Sequence, residues 1–192
     1  WRGRVDQTYG HGCAVIELAV DLPAGSIRPV ITAPDPVLSA ICEEVDPADP
    51  AVVQLAADLL ATMDVSPGCV GLAANQVGVP WRVFCLDVSA HPKTRTCHGR
   101  FVMVNPQIVQ ASRNEKAREG CMSVPDFTGD VKRATRLVVT GQLPGSGESV
   151  TLTTDAFEAR AVQHEVDHLD GLLFIDRVVS AAAIHKRKVY LD

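Results

Sequence analysis

The chain of 192 residues has no hydrophobic run long enough to cross a lipid bilayer, which takes about 20 apolar residues in succession. Its longest early apolar stretch, 14–20, is interrupted by Glu17 and followed by Asp21, so the pattern of a secretory signal peptide is missing. We therefore expect a cytoplasmic protein that does not enter a membrane. Because the chain begins with Trp1 and not with Met, organelle targeting by a missing N-terminal segment stays open.

The cysteines include no pair at Cys-X-X-Cys spacing, which argues against a zinc ribbon or a thioredoxin-type site. Their number, six, is even, as in many disulfide-bonded secreted proteins. However, the chain has no secretion signal, and Cys85 lies inside the apolar run 83–86. This combination favours reduced thiols in a cytosolic protein.

An excess of basic residues is also absent, since the net charge is −5 and the pI is about 5.6. We therefore expect no direct DNA binding. The apolar fraction of 46% is enough for a folded core, and the length fits one domain. Residues 1–25 show no periodicity and are interpreted as an N-terminal extension whose order the sequence does not settle, followed by a catalytic domain at 26–192.

Helices are predicted in three places. Asp49 and Pro50 have the residue types of an N-cap and a first helical position, and apolar residues recur at helical spacing from Val52 to Met63. Asp155 and Glu158, at capping-box spacing, start a second helix that ends near Leu169. A third helix is predicted at 178–190. Short β-rich runs lie at 82–86, 101–104, 137–140 and 149–152, with polar loops at 112–118 and 144–148.

The strongest local motif is His164-Glu165-Val166-Asp167-His168, inside the second predicted helix. Positions four apart lie on one face of a helix, so both imidazoles can bind a single metal ion. Glu165 beside them is a candidate general base. We therefore expect an α+β fold in which small mixed or antiparallel sheets pack around a central metal-binding helix.

A catalytic metal site needs a third protein ligand. The familiar protease extension, a histidine six residues after His168, is absent because that position is Phe174. Cys121 is a candidate, since a thiolate beside a metal is stabilised as the anion. A single cysteine of this kind is nevertheless more often a small buried apolar residue.

The segment Val70-Gly71-Leu72-Ala73-Ala74-Asn75-Gln76 combines small residues with one amide side chain. The small residues permit close approach of the backbone to a neighbour or a substrate, and Gln76 offers a hydrogen-bond donor. A helix interior or a buried turn explains the alanines equally well.

In this order, the three segments resemble the signature motifs of peptide deformylases: G-x-G-φ-A-A-x-Q, E-G-C-φ-S and Q-H-E-x-D-H-L-x-G, with φ apolar. The third motif is complete at 163–171 and the second at 119–123. The first is met at 71–76, although Cys69 stands where the opening glycine is usual. The resemblance covers about 27–178.

The resemblance implies roles for individual residues. Cys121, His164 and His168 would be the metal ligands, and Glu165 the catalytic acid and base. Gln76 and the backbone N–H of Met122 would stabilise the oxyanion.

Further residues are implied to shape and brace the site. Val70, Gly71 and Leu72 would bind the substrate, with Val70 in the wall of the methionine pocket. Glu119 would brace the site, with Arg133 as its partner.

The implied activity is removal of the N-formyl group from N-formylmethionine of nascent proteins, with release of formate. The implied cofactor is one divalent metal ion, usually Fe²⁺ in the family, with Zn²⁺, Ni²⁺ or Co²⁺ able to replace it. The basic cluster His185-Lys186-Arg187-Lys188 also predicts contact with the ribosome near the tunnel exit, although a solvated charged tail explains it as well.

Two other functions stay open at this point: an HExxH-type metalloprotease, and a catalytically silent homologue that binds metal or formyl-peptide without turnover. Thr128 also departs from the family pattern, because many deformylases have an arginine there, near the peptide entrance. This leaves peptide affinity and length preference open.

Overall fold

The computed structural model describes residues 21–187, which include two α-helices and one antiparallel sheet. Helix α1 spans Pro50–Asp64 and helix α2 spans Ala156–Leu169. The strands are β1 (Gly71–Ala73), β2 (Val83–Leu86), β3 (Phe101–Cys121), β4 (Val124–Gln142), β5 (Ser149–Asp155) and β6 (Ile184–Lys186). Short 3-10 helices lie at Pro36–Ser39, Ala74–Val77, Phe174–Arg177 and Ala181–Ala183. The predicted α+β class is confirmed, and no helix within 21–187 is long and apolar enough to cross a membrane.

Five of the six strands follow the order β1-β2-β3-β4-β5, and each is antiparallel to its neighbours. Strand β6 pairs with the first part of β4, while β5 pairs with the last part. Only Met122 and Ser123 connect β3 to β4, and Cys121 pairs with Val124 across that turn. Cys121 therefore lies at the tip of a long hairpin, where tight turn geometry fixes its position.

The two helices cover opposite faces of β1, β2 and the start of β3. Val83 and Cys85 pack in a core cluster with α1, whereas Phe84 and Leu86 pack in a cluster with α2. All four side chains are buried, which explains why β2 is apolar throughout and does not alternate. Each fully buried large apolar side chain contributes about 1.5–3 kcal/mol relative to exposure.

The start of α1 agrees with its prediction, since the Asp49 side chain accepts a hydrogen bond from the Ala51 N–H at 2.8 Å. The preceding segment lies against this helix. A Cβ added at Gly25 would stand 2.1 Å from the Ala57 carbonyl oxygen. The described part of the predicted extension, 21–25, thus reaches α1, and its remainder lies outside the described residues.

The predicted polar loop at 112–118 is wrong, because β3 continues through it and pairs with β4 as far as Cys121. Most side chains of this half of β3 are exposed, so the alternation typical of a half-buried strand is missing from its sequence. The predicted helix at 178–190 is also wrong for its described part. Ile184–Lys186 forms β6 instead, because the open edge of β4 offers backbone partners at Phe127–Gly129. Residues 188–190 lie outside the described part.

The capping box predicted for α2 does not form. Asp155 makes no cap hydrogen bond with its side chain and instead accepts one from the Thr96 hydroxyl at 2.5 Å. The Glu158 carboxylate accepts hydrogen bonds from the Thr154 hydroxyl and the His98 N–H. The predicted end of the helix is confirmed, with Gly171 at a φ of +74° just beyond it.

Candidate active site

One cluster within 21–187 has the donor atoms of a metal site. His164 and His168 lie one helical turn apart on α2, and Cys121 reaches them from the hairpin tip. Their ligand atoms lie within 4.8 Å of one another, and Cys121 Sγ is 3.2 Å from His168 Nε2. Thiolate and imidazole bind zinc at about 2.3 and 2.0–2.1 Å, so these separations suit shared ligation of one ion.

A buried ion-pair network orients His164. Glu119 Oε2 lies 3.0 Å from His164 Nδ1, which leaves Nε2 as the nitrogen available for a metal. Arg133 donates to both Glu119 oxygens, at 2.9 and 3.0 Å, and also to Asp167. Burial opposes ionisation of Glu119, yet hydrogen bonds from His164 and Arg133 lower its pKa to about 2. Carboxylate partners of this kind hold a ligating histidine in one orientation.

Cys121 is stabilised as a thiolate. Burial alone would raise the pKa of its thiol, but the charges and hydrogen bonds of His168 and His164 lower that pKa well below the usual value. The Ser123 N–H and Gln76 Nε2 also donate to Cys121 Sγ, at 3.4 and 3.3 Å. A thiolate is the form in which cysteine binds metals.

Gln76 is held with its amide nitrogen toward the cluster. It lies on the 3-10 helix directly after β1, and its Oε1 accepts a hydrogen bond from the Ala73 N–H at 3.0 Å. This fixes Nε2 as the end that faces Cys121 and Ser123, where it donates at 3.3 and 3.1 Å. The site therefore has an amide donor of fixed direction.

Glu165 differs from the other acids of the site because it has no cationic or hydroxyl partner in the described residues. Its side chain is buried, and its Oε2 has no hydrogen-bond partner. Burial raises the pKa of Glu165 to about 7. A buried carboxyl that exchanges a proton near neutral pH, beside three metal-binding groups, suits general acid–base catalysis.

A cavity of about 260 Å³ opens over this cluster. Val70, Gly71 and Met122 line it, together with Phe157 and Ala161 from α2. Leu72 does not, because its side chain is fully buried in the core against α1. The structure thus brings every predicted site residue to the cavity or its supporting network except the Leu72 side chain.

Three supporting residues were not predicted from the sequence. Ser123 accepts from Gln76, Asn75 Nδ2 donates to the His168 carbonyl at 2.6 Å, and Asp167 joins Arg133 to Arg177. Asp167 could have been found, because a charged residue between two ligands of a buried helix requires a counter-charge. Nothing in the local sequence distinguishes Asn75 from an ordinary turn residue.

Departures from the expected motifs lie close to the cavity. Cys69 is in its lining, and its thiol donates to the Gly71 carbonyl at 3.1 Å. Thr128 pairs with Gly120 at the base of the hairpin tip. Both positions therefore adjoin the site without entering the cluster of metal-binding atoms.

A thiolate and two imidazoles that could hold one metal ion, beside a fixed amide donor and a buried carboxyl, are the groups typical of metal-dependent hydrolases. The chain matches the model of the polypeptide deformylase family over residues 27–183. A peptide deformylase from Agrobacterium fabrum is 40% identical over 155 residues, which cover 80% of this chain and 88% of that protein. Peptide deformylase 2 from Streptomyces avermitilis is 43% identical over 155 residues, covering 80% and 81%.

Solved structures agree with these relatives. The class I type b peptide deformylase from Acinetobacter baumannii, crystallised with bound Met-Ala-Ser, superposes with a TM-score of 0.72 at 36% identity, covering 79% of this chain and 99% of that one. The structure from Thermotoga maritima has the same TM-score, 0.72, at 33% identity, covering 81% and 99%. The chain belongs to the peptide deformylase family.

Proposed function

We propose that this chain performs the reaction of its family at the cluster around Glu165. Peptide deformylases are hydrolases that remove the N-formyl group from N-formylmethionine of nascent peptides. The observation that carries the assignment of residues is the buried, unpartnered Glu165 carboxyl beside Cys121, His164 and His168. A silent homologue would not need a proton carrier at that position.

Cys121, His164 and His168 would hold the divalent metal ion on which this family depends. When bound, the ion supplies Lewis acidity that generates a nucleophile from water near neutral pH. We propose Fe²⁺ as the native ion, in line with the family resemblance, although thiolate and imidazole also suit Zn²⁺, Ni²⁺ and Co²⁺. Metal analysis after anaerobic purification tests this. Iron should dominate, and the Ni²⁺-replaced enzyme should outlast the iron form in air, whereas equal lifetimes would contradict the proposal.

Glu165 would move the protons. It accepts one from the attacking water, whose oxygen bonds to the formyl carbon, and returns it to the amine nitrogen as the C–N bond breaks. Gln76 Nε2 and the Met122 N–H would donate to the oxyanion as the carbonyl becomes tetrahedral. The products are formate and a free N-terminal methionine.

The cavity walls would select the substrate. Val70, Phe157 and Ala161 offer an apolar surface for an unbranched methionine side chain. Gly71 lets β1 approach the Glu165 carboxylate closely, since a Cβ at Gly71 would clash with it. The bound Met-Ala-Ser of the Acinetobacter baumannii enzyme supports a peptide that begins with methionine.

The proposal extends to the catalytic domain, its compartment and its contact with the ribosome. We propose residues 26–192 as one catalytic domain acting on nascent chains in the cytoplasm, a range that includes the family match at 27–183. Contact of the C-terminal basic cluster with the ribosome also stays a proposal, supported by exposed Lys186. Removal of 188–192 together with Lys186→Gln should weaken co-sedimentation with ribosomes and leave β6 in place. Undiminished co-sedimentation would contradict it.

Formate release tests the function directly. The metal-loaded protein should release formate from formyl-Met-Ala-Ser and should not cleave unformylated Met-Ala-Ser. Cleavage of the unformylated peptide would indicate a metalloprotease, although the position six residues after His168, where the protease motif has its third histidine, is the buried Phe174. Binding of formyl-peptide without formate release would indicate a silent homologue.

A further inference from the structure

Strand β6 brings one arginine to the mouth of the cavity. The Arg187 N–H donates to the Asp126 carbonyl at 2.8 Å, which continues the pairing of β6 with β4. Its Nη2 donates to the Cys121 carbonyl at 3.0 Å, and its side chain lines the cavity. A residue near the end of the described chain thus lies directly beside a predicted metal ligand.

The approach of this guanidinium depends on a glycine. A Cβ added at Gly120 would stand 2.6 Å from Arg187 Nη2, so any larger residue would push the arginine away from the hairpin tip. A guanidinium has five N–H donors, and within 21–187 the structure gives only one hydrogen bond from that of Arg187. Most of its donors are therefore available to a ligand in the cavity.

The charges around the cavity leave this arginine without an acidic partner. The cationic lining residues are Lys93, Arg118, Arg160 and Arg187, and the acidic ones are Glu119 and Glu165. Arg133 neutralises Glu119, and Arg118 is paired with Asp130 at 2.6 Å.

By contrast, no carboxylate within the described residues lies at salt-bridge distance from Arg160 or Arg187. Arg160 also has a buried Nε without a hydrogen-bond partner, and its guanidinium lies 5.7 Å from the ring centre of Phe157. Guanidinium groups without acidic partners are well suited to bind a carboxylate.

We propose that Arg187, assisted by Arg160, binds a carboxylate of the peptide substrate downstream of the formylmethionine. An extended peptide advances about 3.4 Å per residue, so a group one to three residues beyond the methionine can reach a guanidinium that touches Cys121. The carboxylate belongs either to an Asp or Glu side chain or to the C-terminus of a short peptide. This inference rests on the proposed deformylation, and it adds a preference for acidic sequences at the start of the protein.

Matched substrates test the proposal with the metal-loaded enzyme. Formyl-Met-Ala-Ser-amide is neutral, formyl-Met-Ala-Asp-amide adds a side-chain carboxylate, and formyl-Met-Ala-Ser with a free C-terminus adds a terminal one. At least one anionic peptide should have a kcat/KM about fivefold above that of the neutral amide, mainly through KM, and high salt should reduce the ratio. The two anionic peptides distinguish the source of the carboxylate.

Variants assign the effect to the residue. Arg187→Gln should bring the ratio of the two kcat/KM values close to one, mainly by raising KM for the acidic peptide. Lys186→Gln removes the same charge one residue away on an exposed side chain outside the cavity, and it should keep the ratio. Arg160→Gln does not disturb β6 and should partly lower the ratio of the kcat/KM values. This variant keeps the proposal testable if Arg187→Gln folds poorly.

Calorimetric titration of the product peptides Met-Ala-Asp-amide and Met-Ala-Ser-amide gives a readout that does not need turnover. Tighter binding of the acidic product, lost in Arg187→Gln, supports the proposal. Equal binding and equal kcat/KM for acidic and neutral peptides, or equal loss of the ratio in Lys186→Gln, would overturn it. Absence of formate release from every peptide would contradict the proposed function, and calorimetry would still decide the role of Arg187.

Discussion

The Glu165 carboxylate lies against the backbone of Gly71, so closely that a Cβ at Gly71 would stand 2.6 Å from Glu165 Oε1 and 2.9 Å from its carboxyl carbon. The Glu165 side chain extends from α2, and the backbone of β1 limits where its carboxylate can lie. The glycine is required here by close approach and not by its φ, which lies outside the left-handed region. The first and third sequence motifs thus meet at one contact.

Gly71→Ala should displace the Glu165 carboxylate and reduce kcat by about tenfold to a hundredfold, because small misplacements of a catalytic group are costly. Bound metal should stay near one equivalent, since the atoms nearest to the new methyl group belong to Glu165 and Leu86. Formate release and metal analysis on the same preparation check this.

Two controls distinguish displacement of the Glu165 carboxylate from a general loss of stability. Gly141→Ala meets Met103 Cγ at 2.4 Å, far from the site, so it should lower the melting temperature and leave kcat of the folded enzyme unchanged. In a Glu165→Gln background, Gly71→Ala should cost almost no further rate, because coupled residues are not additive. An additive loss would show that the glycine acts elsewhere.

Glu119→Gln should weaken metal binding by about tenfold to a hundredfold, the usual effect of losing a carboxylate that orients a ligating histidine. The amide still contacts His164 but cannot neutralise Arg133, which is only 5% exposed. Competition with a chelator measures the affinity. Glu115→Gln, on the exposed part of the same strand, is the control and should bind metal normally.

Cys121→Ala should lose bound metal and activity together, because the thiolate is one of the three proposed ligands. Cys85 lies outside the cluster of Cys121, His164 and His168, and burial raises the pKa of its thiol well above the usual value. Cys85→Ala should therefore lower stability and retain metal. Full metal content in Cys121→Ala would remove cysteine from the ligand set.

The sequence predicted the helix that carries His164 and His168 better than the strands around it. The spacing of His164 and His168 suffices to place both on one face, because helix geometry is local. The extension of β3 through 112–118 depends on pairing with β4, and exposed polar side chains give no alternation to reveal it.

Residues 181–187 also could not be predicted from local sequence alone. Ala181–Ala183 favours a helix by propensity, but the open edge of β4 recruits the next residues as β6. That pairing brings Arg187 to the cavity, which the basic cluster alone could not indicate. Pairing with β4, and not local propensity, therefore determines that Ile184–Lys186 forms a strand.

Asp58 links stability to pH. Its burial opposes ionisation, but hydrogen bonds from the Ser26 N–H, Gln54 and Arg28 hold the pKa of Asp58 below its usual value. The folded state therefore releases this proton more readily than the unfolded state. The resulting stability is complete above the unfolded pKa, about 4, and is lost as the pH falls through the lower folded pKa.

Asp58→Asn should consequently lower the melting temperature at pH 7, and its difference from the unmodified protein should shrink in acid. Thermal unfolding between pH 7 and pH 3 measures this. Asp64→Asn, which breaks an exposed pair with Arg100, should have a smaller effect at every pH. A constant difference for Asp58→Asn across the range would contradict the linkage.

The most direct test of the account is the turnover of Glu165→Gln beside its metal content. The amide keeps the shape of the side chain but cannot accept the water proton, so kcat should fall by at least about a hundredfold. Metal should stay near one equivalent, and formyl-peptide should still bind, because the cavity wall and Gln76 are unchanged. Near-normal turnover would contradict the assignment of Glu165 as the proton carrier, and loss of the metal would make Glu165 a ligand or a brace instead.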